Sequence, residues 1–242
     1  MDKLKSKEER FFLTCEKYYI FEFLIMAAGM MGAYTLILRG GVFSNAQTAN
    51  IMLMAIAFGK GEGLKGAYYL IPAGAYILGT IISELLPKKV KSSGLVRWDT
   101  VLIGFETVVL IVVGFIPKSV PDQIVQIMIS FICAMQYNTF RQAQGITMAT
   151  TFVTNHVRQV GVSIANILMH KDDVVTREKG KRHMFMLAMF FLGGLILAAL
   201  SSTLQEKAIW LAVFPMGFCF VFLLRADLKE EKDYLENTPS GH

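Results

Sequence analysis

Residues Gly145 to Asn166 read GITMATTFVTNHVRQVGVSIAN, placing Thr154, Asn155, His156, Arg158, Gln159 and Asn166 in a chain whose other long stretches are lipid-soluble. An earlier stretch, Gly40 to Met54 (GGVFSNAQTANIMLM), has the same build: glycine, a short apolar run, then a Thr/Asn cluster opening a short apolar helix. From Asn45 to Gly59 there are 15 residues. At ~1.5 Å each they make about 22 Å of helix, short of the ~30 Å hydrocarbon layer. Irregular backbone survives at membrane depth only where protein or a wet cavity surrounds it. The two stretches therefore read as partnered half-membrane segments.

Outward from them lie six apolar runs of spanning or near-spanning length: Tyr18 to Leu38, Leu64 to Leu86, Thr100 to Ile116, Asp122 to Phe140, Met184 to Thr203 and Ala208 to Arg225. With 54% apolar residues and 18% charged, the composition is that of a membrane protein. Pro72 and Gly74 predict a kink in the second run. Gly29 and Gly32, among alanines, give the first run a small-residue face for close helix packing.

The 24 Lys and Arg lie in short blocks between the runs, a pattern of membrane topology and not of a nucleic-acid-binding domain. Six crossings with both termini inside put 17 of them on the inner face and five outside. Eight crossings would move Lys88, Lys89, Lys91 and Arg97 outside, so the positive-inside rule selects six. Each half then holds a full span, a polar half-helix and two more spans, and three crossings invert the second half relative to the first. The expected fold is thus an all-α integral membrane protein of six full transmembrane helices and two polar-capped half-membrane helices, arranged as an inverted repeat. Its parts are a cytoplasmic lead-in (1–17), repeat one (18–116), repeat two (117–225) and a disordered cytoplasmic tail (226–242). The charged N-terminus shows no cleavable leader, so the first span is expected to remain in place.

Helix N-termini inside a membrane offer unpaired N–H groups and a positive dipole end. Thr48 or Asn50 is expected to cap one, Thr154 or Asn155 the other, with or without contact to a solute. Gln136 and Asn138 either line a cavity or hold helices together, and Arg158 adds positive charge. The expected substrate-binding set is Thr48, Asn50, Gln136, Asn138, Thr154, Asn155 and Arg158. Glu106, Arg141 and Glu22 form an ion-pair or proton-coupling set, since charges at membrane depth need partners or a task. Glu106, seven residues into its run, is the strongest of these.

No catalytic residues, metal ligands or cofactor are expected. There is no GxSxG, HExxH or Walker sequence, and His156 lacks a companion ligand at helical spacing. The GxGxxG of Gly61, Gly63 and Gly66 follows no strand and lies in a loop. Cys15, Cys133 and Cys219 are too dispersed for a zinc site or disulfide framework.

Gly40, Gly41, Val42 and Phe43, followed by Thr48, Ala49 and Asn50, and later Gln136, Asn138, Arg141, Gly145, Thr151 and Thr154, resemble the paired motifs of the YoaK-like family. This is a domain-of-unknown-function family of bacterial multi-span inner-membrane proteins. The resemblance covers roughly residues 20 to 225. Ala49 and Asn155 stand where the family usually has glycine, and an extra residue separates Gln136 from Asn138. It implies a multi-pass protein of the bacterial cytoplasmic membrane and assigns neither substrate nor activity.

The expected function is a small-solute transporter or channel with its site between the half-helices, taking a small polar or anionic solute. The expected partners are the bilayer and that solute, not nucleic acid; homo-oligomerisation is left open. A membrane interaction or assembly protein is the alternative, and a membrane-embedded enzyme comes third. A wet cavity between Thr48 and Thr154 would favour transport, a dry hydrogen-bonded seam assembly, and an acid/base pair beside a lipid-facing opening an enzyme.

Overall fold

The computed structural model describes residues 11–87, 94–169, 174–237 and 239. Lys88, Lys89, Lys91, Ser93, His170 and Lys171 lie outside them, as do the basic residues of the first ten positions and the last three of the tail.

The chain is almost entirely α-helical. In order come α1 (Tyr18–Leu38), α2 (Gln47–Gly59), α3 (Gly63–Tyr68), α4 (Leu70–Leu85), α5 (Trp98–Val113), α6 (Asp122–Thr139), α7 (Thr154–Met169), α8 (Val174–Leu204) and α9 (Trp210–Arg225). A two-residue hairpin, Gln142–Ala143 against Ile146–Thr147, joins α6 to the loop before α7. Among the described residues, three helical stretches are long and apolar enough to cross a membrane: Tyr18–Leu38, Gly63–Leu85 and Val174–Glu230. The last contains α8 and α9, separated by a turn at Gln205, whose φ of 49° ends α8.

Several boundaries differ from expectation for local reasons. The second run breaks at Tyr69, not at Pro72, because Pro72 sits in the first turn of α4, where its missing N–H leaves no bond unmade. Helix α8 begins ten residues before the apolar run that defines it, since its first turns carry the good helix formers Arg177, Glu178, Lys179, Lys181 and Arg182.

The central element is α1, which packs against α8 and α9. Its interior face is mainly apolar, with Ile20, Leu24, Ile25, Ala27, Ala28 and Met31 fully buried. Glycine sets how closely the helices approach. A Cβ at Gly29 would collide with the carbonyl of Phe190, and one at Gly193 with that of Met26, so α1 and α8 touch backbone to backbone. Helices α4 and α6 cross the same way, where a Cβ at Gly79 would strike the carbonyl of Phe131.

Two polar clasps sit at opposite ends of α5. At its C-terminal end the fully buried Arg39 donates to the carbonyls of Ile116 and Pro117 and to the Tyr34 hydroxyl, and lies 3.7 Å from Asp122. At its N-terminal end Arg97 pairs with Glu231 at 2.6 Å and Asp227 at 3.5 Å. Thr14 donates to Glu231, and Thr100 to Asp227. Every one of these five residues is buried. The clasp draws in residues 11–17 and 226–237 of the segments expected to be a cytoplasmic lead-in and a disordered cytoplasmic tail. Thr14–Glu16 is a 3-10 turn, Ala226–Glu230 a π turn and Lys232–Tyr234 a 3-10 turn, because a buried guanidinium draws both ends of the chain to itself.

Two outcomes follow. Gly29→Ala, Gly79→Ala and Gly193→Ala each cost about 1–3 kcal/mol in detergent melts, from overpacking. Gly217→Ala, where a Cβ meets nothing within 4 Å, costs nothing. Burial raises the Asp227 carboxyl above its usual range, against the opposing pull of Thr100 and Arg97. A folded-state pKa raised above the unfolded value gives stability that is present at acid pH and lost as pH rises through the folded pKa. Wild type should therefore gain on Asp227→Asn as pH falls from 7 towards 4 in paired unfolding curves; a wild-type loss on acidification would contradict that sign.

Candidate functional site

The loops preceding α2 and α7 cross in the interior. Each begins at a left-handed glycine, Gly40 (φ 78°) or Gly145 (φ 79°), a backbone conformation that side chains disfavour. The Asn45 side chain joins the loops: its Nδ2 donates to the carbonyl of Ala28 on α1 at 3.0 Å and to that of Thr151 at 2.9 Å. Two carbonyl acceptors fix which amide atom is nitrogen. Gly32 makes room for it, since a Cβ there would lie 2.9 Å from Nδ2. From α6, Gln136 Nε2 donates to the carbonyl of Thr150 at 3.1 Å.

Each loop is also closed on itself by a side chain from the first turn of its helix. Asn50 accepts from the N–H of Phe43 at 3.2 Å and donates to its carbonyl at 3.1 Å. His156 Nε2 lies 2.8 Å from the carbonyl of Ala149. Both pairs are seven residues apart, and the second lies 106 residues after the first, the same separation as Asn45 and Thr151. A carbonyl only accepts, so His156 carries its proton on Nε2. Its Nδ1 then accepts from Nδ1–H of His183 at 2.9 Å.

Ser44, Asn45, Gln136, Thr150 and Thr151 are all fully buried. Ser44 Oγ, Asn45 Oδ1, Gln136 Oε1 and Thr150 Oγ1 have no hydrogen-bond partner among the described residues. Burying such a group unpaired costs about 1–3 kcal/mol, so a cluster of them calls for an explanation. The polar character continues along α6, where Gln126 and Ser130 are fully buried and leave Gln126 Oε1 and Ser130 Oγ unpartnered. Glu106, on α5, is fully buried, and neither of its oxygens has a partner among the described residues.

Only part of the expected site lies at this seam. Gln136 and Asn50 do, Asn50 as a loop brace. Thr48 and Thr154 are exposed, and the N-cap of α2 is Ala46, with no side-chain cap. Arg158 is exposed and reaches Asn155 at 3.5 Å. Glu22 lies 3.8 Å from Arg182. Asn138 and Arg141 form a separate set: Asn138 donates to Ser83 and Glu84, and Arg141 pairs with Glu84 at 3.2 Å. That set lines a cavity of about 370 Å³ with Trp98, Asp99 and Glu236. Arg141 is thus engaged by Glu84 and does not meet Glu106.

Sequence reasoning passed over Asn45, Ser44, Thr150, Gln126 and Ser130. The available signal was the i, i+4, i+10 spacing of Gln126, Ser130 and Gln136, which puts three polar groups on one side of an otherwise apolar helix. Among the described residues no group of three or more His, Cys, Asp or Glu could hold a metal ion.

Residues 20–222 match the family model described as "Protein of unknown function (DUF1275)". The chain belongs to that family. No curated protein and no solved structure matches it. In this DUF1275 chain Gly40 and Gly145 stand at the turns that open the two loops and Asn50 and Gln136 bond to them, while Asn138 and Arg141 belong to the separate set at Glu84 and Thr48 and Thr154 are exposed.

Asn45→Ala is expected to cost about 2 kcal/mol or more, by stranding two buried carbonyls. Gly32→Ala is expected to cost about 1–3 kcal/mol by displacing the Asn45 amide. The two share one mechanism, so the double variant should be clearly less destabilised than the sum of the singles in thermal unfolding. Strict additivity would contradict the coupling.

Proposed function

We propose that this DUF1275 chain is a small-solute transporter of the bacterial cytoplasmic membrane, whose solute occupies the seam between the two crossing loops. The observation that carries this is the cluster of buried, unpartnered polar atoms on Ser44, Asn45, Gln136 and Thr150. A seam built only to hold helices together is expected to use its polar groups on one another. The stripe of Gln126, Ser130 and Gln136 gives a solute a polar track along α6. The cavity beside Asn138 and Arg141 begins within one helical turn of Gln136 and serves as the vestibule.

The proposal includes six full spans in two inverted repeats, with both termini and the segment 170–183 in the cytoplasm. The packing pattern supports it. Pairing α1 with α6, α2 with α7, α4 with α8 and α5 with α9 exchanges the contact α1–α8 for α6–α4, α1–α9 for α6–α5, and α2–α4 for α7–α8. The contact α5–α9 exchanges with itself. Each of these contacts is made, the exchanged α1–α8 and α6–α4 pairs both cross through glycine, and the loop braces repeat at one offset. Inverted repeats with a central site between broken helices are a recurring transporter design. In this orientation the Arg39 clasp closes the outer end and the Arg97 clasp the inner one.

The solute follows from the atoms on offer. Asn45 Oδ1 and Gln136 Oε1 accept, and the hydroxyls of Ser44 and Thr150 both donate and accept. This set suits a neutral polar solute carrying N–H or O–H groups. The anionic preference expected from Arg158 loses support, since that side chain is exposed on α7. Glu106, buried and unpartnered, is the candidate for a coupling proton or cation. The direct hydrogen bonds of Asn45 and Gln136 to the loop before α7 favour the second reading, an assembly protein whose polar segments only pack.

Uptake by reconstituted vesicles separates the two. Wild type is expected to accumulate at least one solute of a neutral polar panel, and Gln136→Leu to lose about tenfold or more of that rate while melting near wild type. No uptake above protein-free vesicles across the panel, or uptake untouched by Gln136→Leu, would favour assembly. For orientation, Thr176→Cys on a cysteine-free background should resist an impermeant thiol reagent in intact cells and react in inverted vesicles.

A further inference from the structure

Helices α7 and α8 lie side by side and leave a groove of about 380 Å³ along one side of their contact. Val160, Ile164 and Ile167 form one wall, and Met184, Phe185 and Ala188 the other. The helices come closest where a Cβ at Gly180 would meet Ser163 at 2.7 Å, and this contact closes the floor. At the end nearest the α7–α8 connection the aliphatic stems of Arg177 and Lys181 complete the lining. The α8 wall is a single stripe, Arg177, Lys181, Met184 and Ala188, at helical spacing, with charge at one end and apolar side chains below.

We infer that this groove is a binding site for one anionic phospholipid of the cytoplasmic leaflet, its phosphate against Arg177 and Lys181 and one acyl chain along the groove. Length supports this occupant. Arg177 to Ala188 is eleven residues, ~16 Å of helix, close to half of the ~30 Å hydrocarbon core. Charge supports it as well. From 170 to 183 the sequence carries Lys171, Arg177, Lys179, Lys181 and Arg182 against Asp172, Asp173 and Glu178. Basic pockets between membrane helices on the cytoplasmic side are a recognised way to hold lipid headgroups. Arg182 turns to the Tyr18 ring and Glu22, while Arg177 and Lys181 line the mouth; Arg177 too is engaged within the protein, so a headgroup phosphate binds both side chains in exchange for their present contacts. Lys181 does pair with Glu178 at 2.7 Å, but both side chains are well exposed, and a pair of that kind yields readily to a competing anion. The inference rests on the cytoplasmic placement of 170–183 and not on transport.

The test uses the full chain in an uncharged detergent, with native mass spectrometry to count bound lipid and thermal melts to titrate it. The probes are phosphatidylglycerol, phosphatidylcholine and inorganic phosphate. Wild type is expected to keep one phosphatidylglycerol through delipidation, to bind phosphatidylcholine at least tenfold more weakly, and to show no shift with inorganic phosphate. The double variant Arg177→Gln, Lys181→Gln should bind phosphatidylglycerol about thirtyfold more weakly. Ala188→Trp, which fills the exposed groove and keeps both charges, should abolish the adduct without lowering the lipid-free melting temperature. Equal binding of the two lipids, phosphatidylglycerol binding unchanged in either variant, or a phosphate shift equal to that of the lipid would overturn the inference. So would a dimer that forms through this face in place of the lipid adduct. The Thr176→Cys labelling reports the orientation independently, so a failure there is distinguishable from a failure to bind lipid.

Discussion

The bond on which the interior depends is made by the Asn45 amide, held between a carbonyl of α1 and a carbonyl of the loop before α7. Two irregular loops inside an apolar bundle carry backbone groups that must be paired. Asn45 pairs one from each side at once, and Gln136 takes the neighbouring carbonyl. Gly32 must then be glycine, because the amide occupies the space a Cβ would fill. Asn50 and His156 brace the loops from behind and free Asn45 for the crossing. Around this point α1 meets α8 and α4 meets α6 backbone to backbone, at Gly29, Gly193 and Gly79.

Around that centre the molecule keeps its strong charges at the two ends of α5. Removing one member of a buried ion pair typically costs about 3–5 kcal/mol, so the Arg39 and Arg97 clasps hold firmly while intact. Between them lies a weaker region of neutral amides and hydroxyls, several with no partner. In the proposed transporter this gradation has a use, since the ends resist opening and the middle has bonding capacity left for a solute.

Much of the helical layout was legible in the sequence because lipid solubility and length are local properties. The limits of α1 coincide with the apolar run Tyr18 to Leu38, and α6 ends one residue before the run that foretold it. Tertiary facts were less legible. Asn45 read as the first residue of a half-helix, and its importance lies in a carbonyl 106 residues away. Thr48 and Thr154 matched cap preferences, but the loops are closed by side chains deeper in each helix. The lead-in and tail looked solvated because each is rich in charge, and nothing local shows that Arg97 buries Glu231 and Asp227. Glu106 was singled out by its depth alone, and it is fully buried; the partners suggested for it are engaged elsewhere or exposed.

The central claim is that the two polar loops touch inside the molecule at Asn45 and Thr151. Oxidative cross-linking tests it most directly. Cysteines replace Asn45 and Thr151 in a background lacking Cys15, Cys133 and Cys219, a protease site is placed in the connection between the two halves, and oxidation is carried out in native membranes. The account predicts that the halves stay joined after cleavage until a reductant is added, while a control pair at 45 and 176 separates. Separation of the 45/151 halves under the same oxidation would contradict it.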